Sequence, residues 1–338
     1  MIDLLVAGGG PAGLATAIGA ARAGLEVVVA EPREGPVDKA CGEGLMPAAV
    51  RAVRDLAGPV PGAPFHGIRY LNGTRVAEAR FRSGSGLGVR RTVLHGALHE
   101  AARRAGVGFV TQRITEVRQG TRSVTANGIE ARWLVGADGL HSSVRTAIGQ
   151  SRPDARAHRY GQRRHFAMEP WSDLVEVHWA PHAEAYVTPL AADLVGVAVL
   201  TERRGGFEEH LRAFPALLEQ LPIHAVTRSR GAGPLRQRVA SRRVGRVLLV
   251  GDAAGYVDAL TGEGLAVSFE AARALVGCLL RDRPQDYDAE WRQLSRRYRM
   301  LTGGLLAARR TPGLSRVIVP ASARLPRVFG AVVDALAG

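Results

Sequence analysis

Gly8-Gly9-Gly10-Pro11-Ala12-Gly13 stands between a short apolar run, Ile2 to Ala7, and an alanine-rich stretch with apolar residues at helical spacing, Leu14 to Gly24. Leu25 to Ala30 then reads as a buried strand that ends at Glu31. Strand, Gly-x-Gly-x-x-Gly, helix, strand and terminal acid in this order form the βαβ unit of a dinucleotide site, and few other folds accommodate the set. Gly8 permits the tight turn, Gly10 lets a pyrophosphate approach the backbone, and Gly13 lets the helix pack close to the strand. The helix opens at Pro11 and Ala12, where free N–H groups and the positive dipole end face the phosphates. Glu31, 18 residues after Gly13, is placed to accept hydrogen bonds from an adenosine ribose, with Pro32 beside it.

Composition narrows the class of partner. The 338 residues carry 45 Lys plus Arg against 31 Asp plus Glu, a net charge of +14. Lys39 is the only lysine, and the arginines are scattered in pairs rather than gathered in a stripe. Scattered charge argues against nucleic acid as a partner, so a basic nucleic-acid-binding module is only a distant alternative. Two cysteines, Cys41 and Cys278, exclude a disulfide scaffold. No secretory signal or apolar run of membrane-spanning length is read, and a cytoplasmic location is expected. No His/Cys cluster has metal-ligand spacing and no Gly-x-Ser-x-Gly elbow occurs, so no metal is expected.

Two later segments extend the nucleotide motif. Val124 to Val135 reads as a hairpin and strand that runs into Gly136-Ala137-Asp138-Gly139. Arg246 to Val250 is a strand ending in Gly251-Asp252, and Leu260-Thr261-Gly262-Glu263-Gly264-Leu265 opens a helix from about Ala266 to Leu280. With these three motifs in order, the chain resembles the FAD-containing flavoprotein hydroxylase and geranylgeranyl reductase superfamily, which shares the p-hydroxybenzoate hydroxylase fold. The resemblance covers roughly residues 1–150 and 235–285.

The resemblance implies an α/β fold: a Rossmann-like FAD-binding domain with an inserted antiparallel β-sheet substrate domain and C-terminal helices. The FAD-binding domain is expected over 1–65, 88–150 and 235–290, the substrate domain over 66–87 and 151–234, and the helices over 291–338. FAD is the implied cofactor, with NAD(P)H a transient reductant that has no domain of its own. Asp138, Gly251 and Asp252 are expected along the ribityl–pyrophosphate chain. Gly262, Gly264, Leu265 and Ala266 are expected where a positive helix end meets the flavin. Arg91, at the start of a helix, is the implied FAD-contacting arginine and is preferred by register over Arg90.

Lys39-Ala40-Cys41-Gly42-Glu43-Gly44 follows the second strand and, in the resembled superfamily, passes beside the flavin. Gly42 and Gly44 suit a backbone that hugs a ring. Lys39 is a candidate partner for a phosphate or reduced flavin, and Glu43 a candidate proton donor or acceptor. Cys41 reads as a packing residue of the cofactor site rather than a nucleophile.

Residues 175–179, 185–189 and 194–200 alternate as strands and, with 67–81, are expected to form the inserted sheet. Arg164, His165, Phe166, His178, Trp179 and Tyr186 are the candidates for its substrate pocket. Tyr186 and His165 join Glu43 and Lys39 as candidate catalytic residues.

Two chemistries fit this reading. Hydroxylation of an aromatic or polyketide-like small molecule is favoured, and reduction of prenyl double bonds, toward which the Lys39–Gly44 run leans, is the alternative. The Arg-rich, apolar tail from Trp291 reads as helices packed on the FAD domain. Its sharper reading is a cationic surface for anionic lipid, which would suit a lipophilic substrate. Oligomeric state is left open.

Overall fold

The computed structural model describes residues 1–338 apart from 155–157 and 312. Its first sheet runs Arg243–Val244, Val247–Leu249, Ile129–Gly136, Ile2–Ala7, Val27–Ala30, Gly108–Val110. The four central pairings are parallel, as crossover connections require, and the Arg243–Val244 edge is antiparallel. Its strands are continuous Val/Leu runs because helices cover both faces. Leu4, Leu5, Val6, Leu134 and Leu249 are fully buried there. Truncating one of these leucines to alanine is expected to cost ~2–5 kcal/mol.

Chain order places the site. From Ile2–Ala7 the chain moves outward through Val27–Ala30 to Gly108–Val110, then returns to the other side with Ile129–Gly136. The reversal leaves a crevice beyond the carboxyl ends of Ile2–Ala7 and Ile129–Gly136. Helices Pro11–Arg22, Arg91–Arg104 and Gly264–Leu280 begin at that end. The last starts at Gly264, two residues earlier than its sequence suggests.

The second sheet runs Arg230–Ala232, Tyr160–Ala167, Leu194–Thr201, Ala183–Ala191, Val175–Ala180, Gly67–Asn72, Arg75–Arg80. Its pairings are antiparallel except one: Val175–Ala180 runs parallel to Gly67–Asn72. The hairpin Gly67–Asn72/Arg75–Arg80 arrives from a separate, earlier segment, so no tight turn dictates its direction.

The C-terminal helices divide their cover. Tyr287–Leu294 sets Tyr287 and Trp291 into the core of the first sheet, as expected. Arg296–Arg310, Leu314–Arg324 and Pro326–Ala337 instead bring Leu306, Val319, Phe329 and Val333 to a second core with Ile68, Tyr70, Val177 and Trp179. The expectation that the whole tail lies on the nucleotide domain is corrected here. The apolar face of the second sheet needed cover, and these helices supply it.

Candidate active site

At the nucleotide end the glycines divide by role. A Cβ on Gly8, whose φ is +109°, would lie 2.5 Å from the Ala137 carbonyl oxygen, and one on Gly13 would lie 1.9 Å from that of Gly8. Both positions are closed to side chains by the protein itself. Gly10 is different, because its Cβ would meet only the Arg91 guanidinium, at 3.9 Å. It faces open space at the helix start, beside Pro11 and Ala12. His95 donates from Nε2 to the Gly9 carbonyl at 2.9 Å. Burial, aided by Arg91, pushes its pKa down to about 4, so the ring is neutral and must present N–H to that carbonyl.

A cavity of 740 Å³ opens from this turn and is lined by Gly8, Glu31, Pro32, Lys39, Asp138 and Asp252, among others. Glu31 accepts the Gly9 N–H at 2.9 Å and the Arg33 Nε at 2.7 Å. Burial works to raise the Glu31 pKa, but these partners outweigh it and hold the carboxyl below its ordinary value. Asp138 accepts from Ser143 Oγ and the Val144 N–H through Oδ2, while its buried Oδ1 has no partner among the described residues.

Lys39 and Asp252 line both this cavity and the next, and Arg91 lines the next. None of the three side chains makes a hydrogen bond or ion pair with the described residues. Shielding from water lowers the Lys39 pKa, with Asp252 opposing, and burial lowers that of Arg91. Burial raises the Asp252 pKa, while Lys39, Arg91 and Arg145 pull it back. Two unpaired cations beside an open helix N-terminus suit a diphosphate, and the acid suits a hydroxyl. A Cβ on Gly42 or Gly262 would meet nothing within 4 Å, leaving room for a broad ring. The residues present therefore fit FAD.

The second cavity, 260 Å³, is walled by apolar residues: Phe65, Ile68, Tyr70, Val177, Tyr186 and Leu336. Gly44, Gly251, Gly264 and Leu265 also line it, whereas Ala266 in the same helical turn does not. Cys41 faces it, and burial pushes its thiol pKa up. The Tyr186 hydroxyl donates to the Leu260 carbonyl at 2.8 Å. Tyr256 lines the same space, and its hydroxyl has no partner among the described residues. Burial raises its pKa well above the ordinary tyrosine value.

Beneath the cavities, Glu43 sits at φ +59°, a backbone conformation that costs a non-glycine residue ~1–3 kcal/mol. Its Oε1 accepts the Arg91 N–H at 2.8 Å, and its Oε2 lies 2.6 Å from His165 Nε2. Arg163 donates to His165 Nδ1 at 3.2 Å, to the Lys39 carbonyl, and to Asp38. With Nδ1 accepting, Nε2 carries the proton that Glu43 receives as a hydrogen bond. Both Glu43 oxygens are thus engaged by the protein.

Of the six pocket candidates on the second sheet, Tyr186 lines the second cavity, and the other five line neither of the two. Arg164 turns to the Thr227 carbonyl and Glu208, and Phe166 lies in a separate core. His178 pairs with Glu176, while Trp179 packs edge-on against Tyr70. Arg163, Tyr70 and Tyr256 were not singled out in the sequence. For Arg163 a signal was present: Gly161, Arg163 and His165 alternate on one buried face of their strand.

The chain matches the family model described as FAD binding domain over residues 96–281, and a second FAD binding domain model over residues 3–59. Menaquinone reductase of Mycolicibacterium smegmatis is 27% identical over 324 residues, covering 86% of this chain and 79% of that protein. Dialkyldecalin synthase of Streptomyces rugosporus is 29% identical over 80% of this chain, which spans only 63% of that enzyme's length. Digeranylgeranylglycerophospholipid reductase of Methanosarcina acetivorans is 27% identical, covering 80% of this chain and 73% of its own.

Among solved structures, a flavoprotein/dehydrogenase from Cytophaga hutchinsonii superposes with a TM-score of 0.83 at 18% identity, covering 99% of this chain and 92% of that one. p-Nitrophenol 4-monooxygenase from Pseudomonas putida superposes at 0.80 with 19% identity, covering 100% and 98%. These two establish a shared fold. No helix of the described residues is long and apolar enough to cross a membrane, and no group of them could hold a metal ion.

Proposed function

From a chain that belongs to the FAD binding domain family, and so to the FAD-dependent oxidoreductases, we propose reduction of a carbon–carbon double bond in a lipophilic, isoprenoid-like small molecule. Bound FAD, reduced by NAD(P)H, supplies a hydride to such a bond or, with dioxygen, an oxygen atom to an electron-rich ring. The observation that carries the first reading is the protonation of the apolar cavity. Burial raises the pKa of Cys41, Tyr70, Tyr186 and Tyr256, so every one of these groups holds its proton at neutral pH. Saturating a double bond needs a proton at the second carbon, whereas activating a phenol needs a base. Of the carboxylates on its lining, Glu43 is engaged by the Arg91 N–H and His165, and Asp252 also borders the larger cavity, which leaves Cys41 and the tyrosines as the polar groups of its apolar wall.

Arg91 and Lys39 would hold the pyrophosphate at Gly10, Glu31 the adenosine ribose, and Asp252 the ribityl hydroxyls. Asp138, through its free Oδ1, would join them. The N-terminus of Gly264–Leu280 would face the flavin, with Gly42 and Gly44 beneath the ring. Glu43 and His165 would position this segment rather than exchange protons with substrate. The Tyr186 hydroxyl is committed as a hydrogen-bond donor to the Leu260 carbonyl, which leaves Tyr256, whose hydroxyl has no partner among the described residues, as the proton donor. Residues 1–65, 88–150 and 235–290 would make up the FAD-binding part, and 66–87 and 151–234 the substrate-facing part.

The names of two relatives, a menaquinone reductase and a prenyl-lipid reductase, support this order. It reverses the preference drawn from sequence alone. Hydroxylation of an aromatic ring is the second reading, favoured by the rings of Phe65, Tyr70, Tyr186 and Tyr256 around the cavity. Turnover of a prenyl quinone and an alkylphenol with NADPH, with and without oxygen, separates the two. Reduction adds two hydrogens to the product in the absence of oxygen; hydroxylation adds one oxygen atom and needs air.

A further inference from the structure

The last helix of the chain has one face committed to the cavity and another committed to nothing. Phe329, Val333 and Leu336 of Pro326–Ala337 are buried; Phe329 packs on Tyr70 and Leu336 lines the apolar cavity. Leu325 and Val328 are 56% and 57% exposed, and Val332, one turn beyond Val328, is exposed beside them. Val317 on the preceding helix Leu314–Arg324 is exposed as well.

Charge says what these side chains face. Residues 296–338 carry eight arginines and one acid, Asp334. That acid is taken by Arg82, whose N–H and Nε lie 3.0 and 3.1 Å from its two oxygens. Arg316, Arg324 and Arg327 are exposed and make no ion pair with the described residues. Exposed apolar side chains bordered by unpaired arginines, with no free acid among them, suit a surface that is negative outside and apolar just below. A protein partner would need an apolar centre and an acidic rim matched to this face, whereas an anionic bilayer presents both to any amphipathic helix.

We propose that the Leu314–Arg324 and Pro326–Ala337 helices dock the protein on an anionic lipid bilayer. Leu325, Val328 and Val332 enter the interface, and Arg316, Arg324 and Arg327 bind its headgroups. The helix that carries the exposed side chains also walls the cavity, so a lipid-dissolved substrate would meet the site within one helix diameter of the bilayer, about 10 Å. The docking does not depend on which redox chemistry the site performs.

The test is co-sedimentation of the full-length, FAD-loaded chain with phosphatidylglycerol or phosphatidylcholine vesicles, at low and high salt. Binding is expected to phosphatidylglycerol vesicles only, falling steeply with salt. Leu325→Gln/Val328→Gln/Val332→Gln and Arg316→Gln/Arg324→Gln/Arg327→Gln should each weaken it at least ~10-fold, since the first removes the side chains that enter the interface and the second those that meet its headgroups. A matched control, Arg103→Gln/Arg118→Gln/Arg122→Gln, removes three exposed arginines from the nucleotide-binding part and should weaken it much less.

Equal loss in the control and the tail variant would reduce the effect to net charge and overturn the proposal. So would equal binding to both vesicle types, or no binding. Sedimentation without vesicles covers the remaining occupant: a dimer of the parent chain that the apolar triple variant dissolves would assign this face to a second copy. Should the triple variant lose its fold, the salt and lipid dependence of the parent chain still decides.

Discussion

The Glu43 carboxylate lies 2.6 Å from the Nε2 of His165, a residue 122 positions later in the chain. The contact joins three parts of the molecule. Glu43 belongs to the segment along the cavity floor, His165 to the second sheet, and the Arg91 N–H that shares the carboxylate to a helix of the first. The carboxylate and ring are each 1% exposed, so the pair acts where water does not compete.

Removing one partner leaves the other buried and unmatched. His165→Ala is expected to destabilise the protein by ~3–5 kcal/mol, because Glu43 keeps only the Arg91 N–H and the more distant Arg163. A double-mutant cycle with Glu43→Gln, read by denaturant melts, should give a coupling of at least ~1 kcal/mol. Additive losses would mean that the two side chains do not act together.

The Arg91 and Lys39 side chains have no partner to lose among the described residues, so their removal should cost affinity rather than stability. Arg91→Met should weaken FAD binding roughly 10- to 100-fold, the ~1.5–3 kcal/mol of one charged hydrogen bond. Lys39→Met should act in the same direction. Quenching of flavin fluorescence measures both, and affinities equal to the parent's would place the phosphates elsewhere.

The nucleotide end was legible in the sequence because its physics is local. The turn at Gly8, the helix at Pro11 and the acid at Glu31 follow one another within a single βαβ unit. The floor of the second cavity was not. Glu43 and His165 were each singled out, but their pairing depends on how a distant strand packs over the Lys39–Gly44 segment, and no local pattern encodes that. Tyr256 stayed hidden because a tyrosine after a glycine-rich turn reads like any packing residue. The tail was half legible: its amphipathic character is visible in the Arg/Leu/Val rhythm, but the sheet it covers is not.

Glu263 gives the fold a dependence on pH. Burial raises its pKa from 4.5 to about 7, against the pull of Arg297 and Thr261, and its Oε2 has no partner among the described residues. An acid whose folded pKa lies above its unfolded value favours folding most below pH 4.5, and that contribution is lost as pH rises through 7. Glu263→Gln should therefore be more stable than the parent at pH 8, by ~1–3 kcal/mol, and about equally stable at pH 4.5. A variant less stable than the parent at pH 8 would show that the charged form is the one the fold favours.

Tyr256→Phe removes the free hydroxyl while keeping the ring. Loss of a positioned proton donor should slow double-bond reduction by ~10²–10⁴-fold. FAD affinity and the rate at which NADPH bleaches the flavin should stay at parent values, which stopped-flow absorbance can follow. Full activity in this variant would return the proton to Cys41 or to solvent.

Double-bond reduction is read most directly from the mass of the product formed when the FAD-loaded protein is mixed with NADPH and a prenyl quinone without oxygen. Flavin bleaching followed by a product heavier by two hydrogens is expected. A protein that takes up no FAD would contradict it, as would turnover confined to air with a product heavier by one oxygen.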